Sequence, residues 1–275
     1  MRIFEIEAPP EVPVLDVPAA VAFAITRIDW SAPADLPSGR NGAFVVGRPR
    51  PGWMIEMIAV SDELIERYRT IPPATIGHYT GSEFMDSGIK PLFTPIGIVG
   101  RARTVRMPRG DATMSRPAIQ SIQPGEILVI DQDGDDQVSC WGEMTSLAAK
   151  MKGAVGVIID GSATDWAEIR VQEMPTFARA VVARVGHRLE RPDGALQIPV
   201  SVGGVIVNPG DLVVADDNGI VVLSAERAEE LYEISRAAED RAPFVRRWLE
   251  AGGDLADLAG LSADQVETLL RQRGW

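Results

Sequence analysis

Apolar residues recur along this chain in two rhythms, and the switch between them outlines the fold. Residues 126–131 (EILVID) and 154–160 (AVGVIID) are short, nearly uninterrupted apolar runs, the pattern of strands buried on both faces. Between them residues 143–151 have helical composition. A short helix at 165–171 and a strand at 176–183 follow. Strand, helix, strand at this spacing is a βαβ unit, which predicts parallel pairing through a right-handed crossover. Upstream, residues 96–99 and 102–105 form a further strand region. Earlier still, Ser61 precedes Asp62 and Glu63, an N-cap with an acidic first turn. The helix it opens carries Leu64, Ile65 and Tyr68 on one stripe until Pro72 and Pro73 stop it.

The rhythm then shortens. Residues 198–202, 205–207, 212–215 and 220–223 read as brief strands interrupted by Gly203-Gly204, Pro209-Gly210 and Asp217-Asn218-Gly219. The last triplet is a hairpin signal, because Asn and Gly tolerate positive φ, so an antiparallel region follows the βαβ unit. Residues 225–250 are helical, with Ala228, Leu231, Ile234 and Ala238 near helical spacing, and shorter helices are expected at 255–258 and 263–270. This tail reads as a structural arm or an oligomer contact. By contrast, the first sixty residues hold eight prolines and no sustained period; they read as an extended appendage with strands at 43–47 and 53–60. The organisation expected is an N-terminal extension (1–60), an α/β domain (61–224) and a helical tail (225–275).

Composition narrows the function. With 45% hydrophobic and 24% charged residues the chain of 275 is long enough, and apolar enough, to bury a core. A net charge of −12 argues against nucleic acid as a partner, since phosphate affinity comes from clustered Lys and Arg. The single cysteine, Cys140, excludes an intrachain disulfide and suits a reducing compartment. The first residues lack the basic-then-apolar order of a secretory signal, and no apolar run reaches membrane-spanning length; a cytoplasmic, unanchored protein is expected, with no membrane partner.

Several chemistries fail on spacing. Neither GxxxxGK[ST] nor GxGxxG follows a strand, which disfavours nucleotide chemistry. The acidic run at 131–136 invites a calcium-loop reading, but the sixth position would be Asp136 instead of Gly and the twelfth Gly142 instead of a carboxylate. A solvated turn after a strand is the better reading. His78 and His187 each stand alone, which gives no support to a histidine triad or a two-histidine zinc site. Cys140, beside Trp141, reads as a packed thiol and not a nucleophile.

Two stretches do carry a signal. Residues 142–180, GEMTSLAAKMKGAVGVIIDGSATDWAEIRVQEMPTFARA, and 209–223, PGDLVVADDNGIVVL, resemble in the right order the two hallmark segments of the RraA-like family, which includes the 4-hydroxy-4-methyl-2-oxoglutarate aldolases. The likeness spans most of residues 68–250. It implies a swivelling β/β/α domain and a homotrimer, or a hexamer of two trimers, with active sites between subunits. The aldolases of the family carry an acidic residue, twenty intervening residues, then Arg-Asp. Here Glu143 and Asp165 keep the acidic positions at that spacing, but Thr164 stands where the arginine belongs.

The resemblance implies a small 2-oxo acid substrate and a Mg²⁺ or Mn²⁺ cofactor. Cleaving such an acid leaves electrons on a pyruvate enolate, which a divalent Lewis acid stabilises. Asp165, at a loop-to-helix junction, would give the ion one hard oxygen ligand, with Glu143 behind it orienting a water that serves as acid or base. Gly142, Glu143, Met144 and Thr145 begin a helix, so their free N–H groups form an anion site for the substrate carboxylate, with Thr164 beside them. Taken without the family, Asp165 is an ordinary N-cap, Glu143 an exposed first-turn carboxylate, and Glu168 a solvated helix residue. Two functions therefore stand side by side: a metal-dependent carbon–carbon lyase weakened or altered by Thr164, with Arg170 and Arg179 the nearest substitutes for the arginine, or a non-catalytic protein that works by binding a protein partner.

Overall fold

The structure, a computed structural model, describes residues 59–189 and 193–275. The appendage and the strands expected at 43–47 and 53–60 lie outside the described residues, apart from the last two positions.

Ser61 caps α1 (Asp62–Tyr68), its hydroxyl accepting the Leu64 N–H at 3.1 Å. Pro72 closes that segment, but Pro73 then takes the first position of a one-turn helix, α2 (Pro73–Ile76), where a missing N–H costs nothing. The chain continues through β1 (Lys90–Pro91), β2 (Gly97–Arg106), α3 (Ser115–Ser121), β3 (Glu126–Trp141), α4 (Glu143–Met151), β4 (Gly156–Ala163), α5 (Trp166–Val171) and β5 (Thr176–Val181). Short strands β6 (Ala195–Leu196), β7 (Val200–Val202), β8 (Val205–Val207), β9 (Leu212–Asp216) and β10 (Gly219–Leu223) follow.

Strands β2 to β5 are neighbours and parallel, as the βαβ spacing predicts. The main sheet runs β1-β5-β4-β3-β2-β9-β10, with β6 on β2, and the outer pairings are antiparallel. The apolar runs are continuous because both faces are covered. Ile127, Val129, Ile158 and Phe177 face one way and pack on the β7–β8 hairpin, while Leu128, Ile130, Val157 and Ile159 face α3, α4 and α5. The result is three layers, β/β/α. With both faces apolar the hydrophobic pattern alone leaves the strand register open. A forked, largely buried pair, Arg103 to Glu126 at 2.6 and 2.8 Å, pins β2 against β3.

Two expectations need correcting. The acidic run at 131–136 is not a solvated turn: β3 continues through it with register shifts against β4. Such bulges orphan backbone donors, and the carboxylates satisfy them. Buried Asp135 accepts the N–H groups of Gln137 at 3.0 Å and Val138 at 3.2 Å, and buried Asp131 that of Asp133 at 3.0 Å. This detour is what delivers the chain to Trp141 and the start of α4. The tail is not a bare arm either. The first part of α6 (Ala225–Glu250) packs Ala228 and Leu231 into a core with α1 and β9–β10, and the Tyr68 hydroxyl donates to the Ala228 carbonyl at 2.8 Å. Its far end places Trp248 against Leu258, Val266 and Leu270, from a 3₁₀ turn (Leu255–Leu258) and α7 (Ala263–Arg273). Ile234, expected on the packed stripe, is exposed.

Candidate active site

Trp141 ends β3 as a fully buried anchor, its indole N–H donating to Ser146 Oγ at 2.8 Å. That bond holds the first turn of α4 against the strand, so Gly142, Glu143, Met144 and Thr145 are presented at the mouth of a cleft of about 280 Å³. A volume of this size can take a small organic acid.

Four N–H groups of a helix start lack intrahelical acceptors. Here the Gly142 N–H donates to Thr145 Oγ1 at 2.9 Å and the Glu143 N–H to Asp165 Oδ2 at 3.0 Å. Those of Met144 and Thr145 take no acceptor among the described residues, and both residues line the cleft. They remain for an anion.

Asp165 heads α5 at φ 53°, ψ 40°, a left-handed conformation that Asp tolerates better than most residues. Its carboxylate does not cap its own helix, so the ordinary N-cap reading fails. Instead it crosses to α4. Gly142 makes the approach possible, because a Cβ there would lie 2.5 Å from Asp165 Oδ2 and 2.7 Å from Thr164 Cγ2. The Thr164 hydroxyl donates to Asp165 Oδ1 at 3.1 Å and so steadies the aspartate. The half-exposed Glu143 carboxylate has no hydrogen-bond partner among the described residues, while its backbone carbonyl is held by Gln172 Nε2 at 3.3 Å.

The structure thus brings Gly142, Glu143, Met144, Thr145, Thr164 and Asp165 together on one cleft. It leaves out both arginines nearest in sequence. Arg179 is locked between Asp160 and Asp86, the latter at 3.2 Å, and neither it nor Arg170 lines the cleft. Glu168 is exposed and outside it, as expected. Arg116 of α3 and Arg188, downstream of β5, line it instead; they lie too far along the chain for motif spacing to signal them. Neither His78 nor His187 contributes. Cys140 is buried, and burial pushes its thiol up to about 12, which leaves it protonated and unreactive.

Among the described residues no cluster of three or more His, Cys, Asp or Glu side chains could enclose a metal ion. Hard oxygens from Asp165, with Glu143 nearby, match an ion that keeps most of its waters, as Mg²⁺ does, and not zinc.

The chain matches the family model for RraA-like: Aldolase/RraA over residues 59–222. A Halalkalibacterium halodurans protein assigned by name to the 4-hydroxy-4-methyl-2-oxoglutarate aldolases is 30% identical over 200 residues, which cover 68% of this chain and 94% of that one. The Thermus thermophilus protein named 4-hydroxy-4-methyl-2-oxoglutarate aldolase is 30% identical over 124 residues, 45% of this chain and 74% of that one. Among solved structures, Streptomyces coelicolor RraAS2, described as an unusual member of the RNase ES inhibitor RraA protein family, aligns with a TM-score of 0.60 at 28% identity, covering 68% of this chain and 98% of its own. With a matched span of more than half its length and the three-layer fold to go with it, this chain belongs to the RraA-like family.

Proposed function

We propose that the protein is a divalent-metal-dependent lyase that breaks a carbon–carbon bond in a 2-oxo acid, by aldol cleavage or the related decarboxylation of a 2-oxo diacid. The observation that carries this reading is the junction of Asp165, Glu143 and the unfilled N–H groups of α4 on one small cleft. Relatives named as aldolases supply the reaction class.

The Met144 and Thr145 N–H groups bind the substrate carboxylate, aided by the positive end of the helix dipole. Asp165, fixed by Glu143 N–H and Thr164, would hold Mg²⁺ or Mn²⁺. Bound there, the ion would supply Lewis acidity toward the 2-oxo group. In aldol cleavage the C4 hydroxyl loses its proton, the C3–C4 bond breaks, and its electron pair becomes the pyruvate enolate, which is then protonated at C3. Glu143, with both oxygens uncommitted, accepts and returns that proton directly or through water.

Around the cleft α4 exposes Met144, Leu147 and Met151 at helical spacing, beside exposed Trp166 and Val185. Apolar surface of this kind asks for a cover, and a second copy of the chain in a homotrimer or hexamer is the one proposed. The same collar favours the second reading, a non-catalytic protein that docks a protein partner. Among the described residues no helix is long and apolar enough to cross a membrane.

Pyruvate release from 4-hydroxy-4-methyl-2-oxoglutarate and from oxaloacetate, with and without Mg²⁺, tests the proposal. Metal-dependent release that Asp165→Asn abolishes is expected. Absence of release from both acids at saturating Mg²⁺ would turn the assignment toward the binding protein.

A further inference from the structure

We infer that Arg116 and Arg188 form the anion clamp of this cleft, doing from two distant segments what position 164 cannot do with a neutral hydroxyl. The ligand they select is a 2-oxo acid with a second carboxylate. This rests on the lyase reading for its chemistry, though not for the binding it describes.

Arginines on the strands of the main sheet are already committed to carboxylates. Arg106 is forked onto Asp133 at 2.6 and 2.8 Å, Arg103 onto Glu126, and Arg179 onto Asp160 and Asp86. Each has the partners a guanidinium in a folded protein usually finds. Arg116 and Arg188 form no ion pair and no hydrogen bond among the described residues, yet both line the cleft that holds Glu143 and Asp165. Two unpaired guanidiniums on one small cleft, with free helix N–H groups, make a site more cationic than its two carboxylates suggest.

Their backbones are fixed even though their side chains are free. Ser115, next to Arg116, is buried and donates its hydroxyl to the Cys140 carbonyl at 3.2 Å, tying α3 to the end of β3. Arg188 sits between two anchored neighbours. The His187 carbonyl accepts the Ala112 N–H at 2.9 Å, and the Leu189 N–H donates to Asp111 Oδ1 at 3.1 Å. One residue earlier, the Gly186 N–H donates to the Ser139 carbonyl at 2.8 Å, in a spot where a Cβ would press 3.1 Å from two carbonyl oxygens. So the rim fixes the backbone at both arginines and leaves their guanidinium forks for a ligand, the arrangement suited to bidentate carboxylate recognition. The α4 N–H groups hold the carboxylate next to the 2-oxo group; the arginine pair takes the far one.

The test is calorimetric binding of two inert probes, 2-oxoglutarate and pyruvate, to the full chain with Mg²⁺, for wild type, Arg116→Gln and Arg188→Gln. Both side chains are exposed and unpartnered, so the variants should match wild type in thermal unfolding. Expected is an affinity for 2-oxoglutarate about 10- to 100-fold lower in each variant, the scale of one or two lost charge-assisted hydrogen bonds, with pyruvate affinity nearly unchanged. Arg188→Lys should recover part of the loss, since a point charge replaces the fork. The same selective loss in a wild type that releases no pyruvate would support the clamp while removing the lyase reading. Equal affinities of both probes for wild type and both variants would overturn the clamp, even in an active lyase. So would losses of the same size for both probes, because that would mark general electrostatics and not a second-carboxylate subsite.

Discussion

Asp165 Oδ2 accepts the Glu143 N–H at 3.0 Å, so the residue at the head of α5 satisfies an orphan donor of α4. One hydrogen bond thereby welds the two acidic positions into a unit. The left-handed backbone of Asp165 is the cost of aiming the carboxylate sideways, on the order of 1 kcal/mol for a strained residue of this kind.

Gly142→Ala should break that unit. The added Cβ would meet the Asp165 carboxylate at 2.5 Å and Thr164 Cγ2 at 2.7 Å, so the aspartate must move off the Glu143 N–H. Displacing a positioned group by an ångström typically costs about 100-fold in rate. The expected outcome is a loss of kcat/KM of that order with weaker Mg²⁺ activation, while circular dichroism keeps the wild-type helix content. An unchanged Mg²⁺ dependence would show that the Asp165 position is not limiting.

Thr164→Arg should help little in the wild-type background. The cleft already contains Arg116 and Arg188, and the substitution removes the hydroxyl that donates to Asp165 Oδ1. In an Arg188→Gln background the same change should restore activity about tenfold, the worth of one charge-assisted hydrogen bond. Steady-state pyruvate formation by the four proteins reads this directly. A large gain in the wild-type background alone would mean that the two rim arginines do not reach the substrate.

The sequence made some of this legible and hid the rest for physical reasons. Residues 126–131 and 154–160 were recognisable because a strand covered on both faces needs apolar residues at every position, and Glu143 and Asp165 because their spacing is a motif. The continuation of β3 beyond Asp131 was not. A carboxylate that serves a bulge's backbone donors, as Asp135 does, has the same composition as one in a solvated turn. Arg116 and Arg188 carry no signal in the sequence because they converge on the cleft only in space, and the bond from Thr164 to the neighbouring Asp165 has no spacing that would announce it.

Cys140 should be silent toward alkylation in the native protein. Burial pushes its thiol up to about 12, against roughly 8.5 for a free cysteine, so the fold keeps a proton that the unfolded chain loses. Its contribution to stability is therefore complete below about pH 8.5 and declines as the pH climbs toward 12. Iodoacetamide labelling at pH 8 should be near background until denaturant unfolds the chain. Rapid native labelling would show that the cleft floor opens to solvent.

The apolar collar carries the last prediction. Met144 and Met151 are 64% and 78% exposed, and with Leu147 they follow the i, i+3, i+7 spacing of a helix face meant to be covered. This face begins at Met144, which also lines the cleft, so whatever covers it also limits water at the site. Light scattering at micromolar concentration should return a trimer or hexamer. Leu147→Glu with Met151→Glu, which places carboxylates on that face without touching Glu143 or Asp165, should return a smaller species. If the subunit contact completes the active site, pyruvate release should fall with assembly, and adding subunits by raising concentration should recover it. A double variant that is monomeric and fully active would show that each chain works alone, and the inter-subunit site would have to be abandoned.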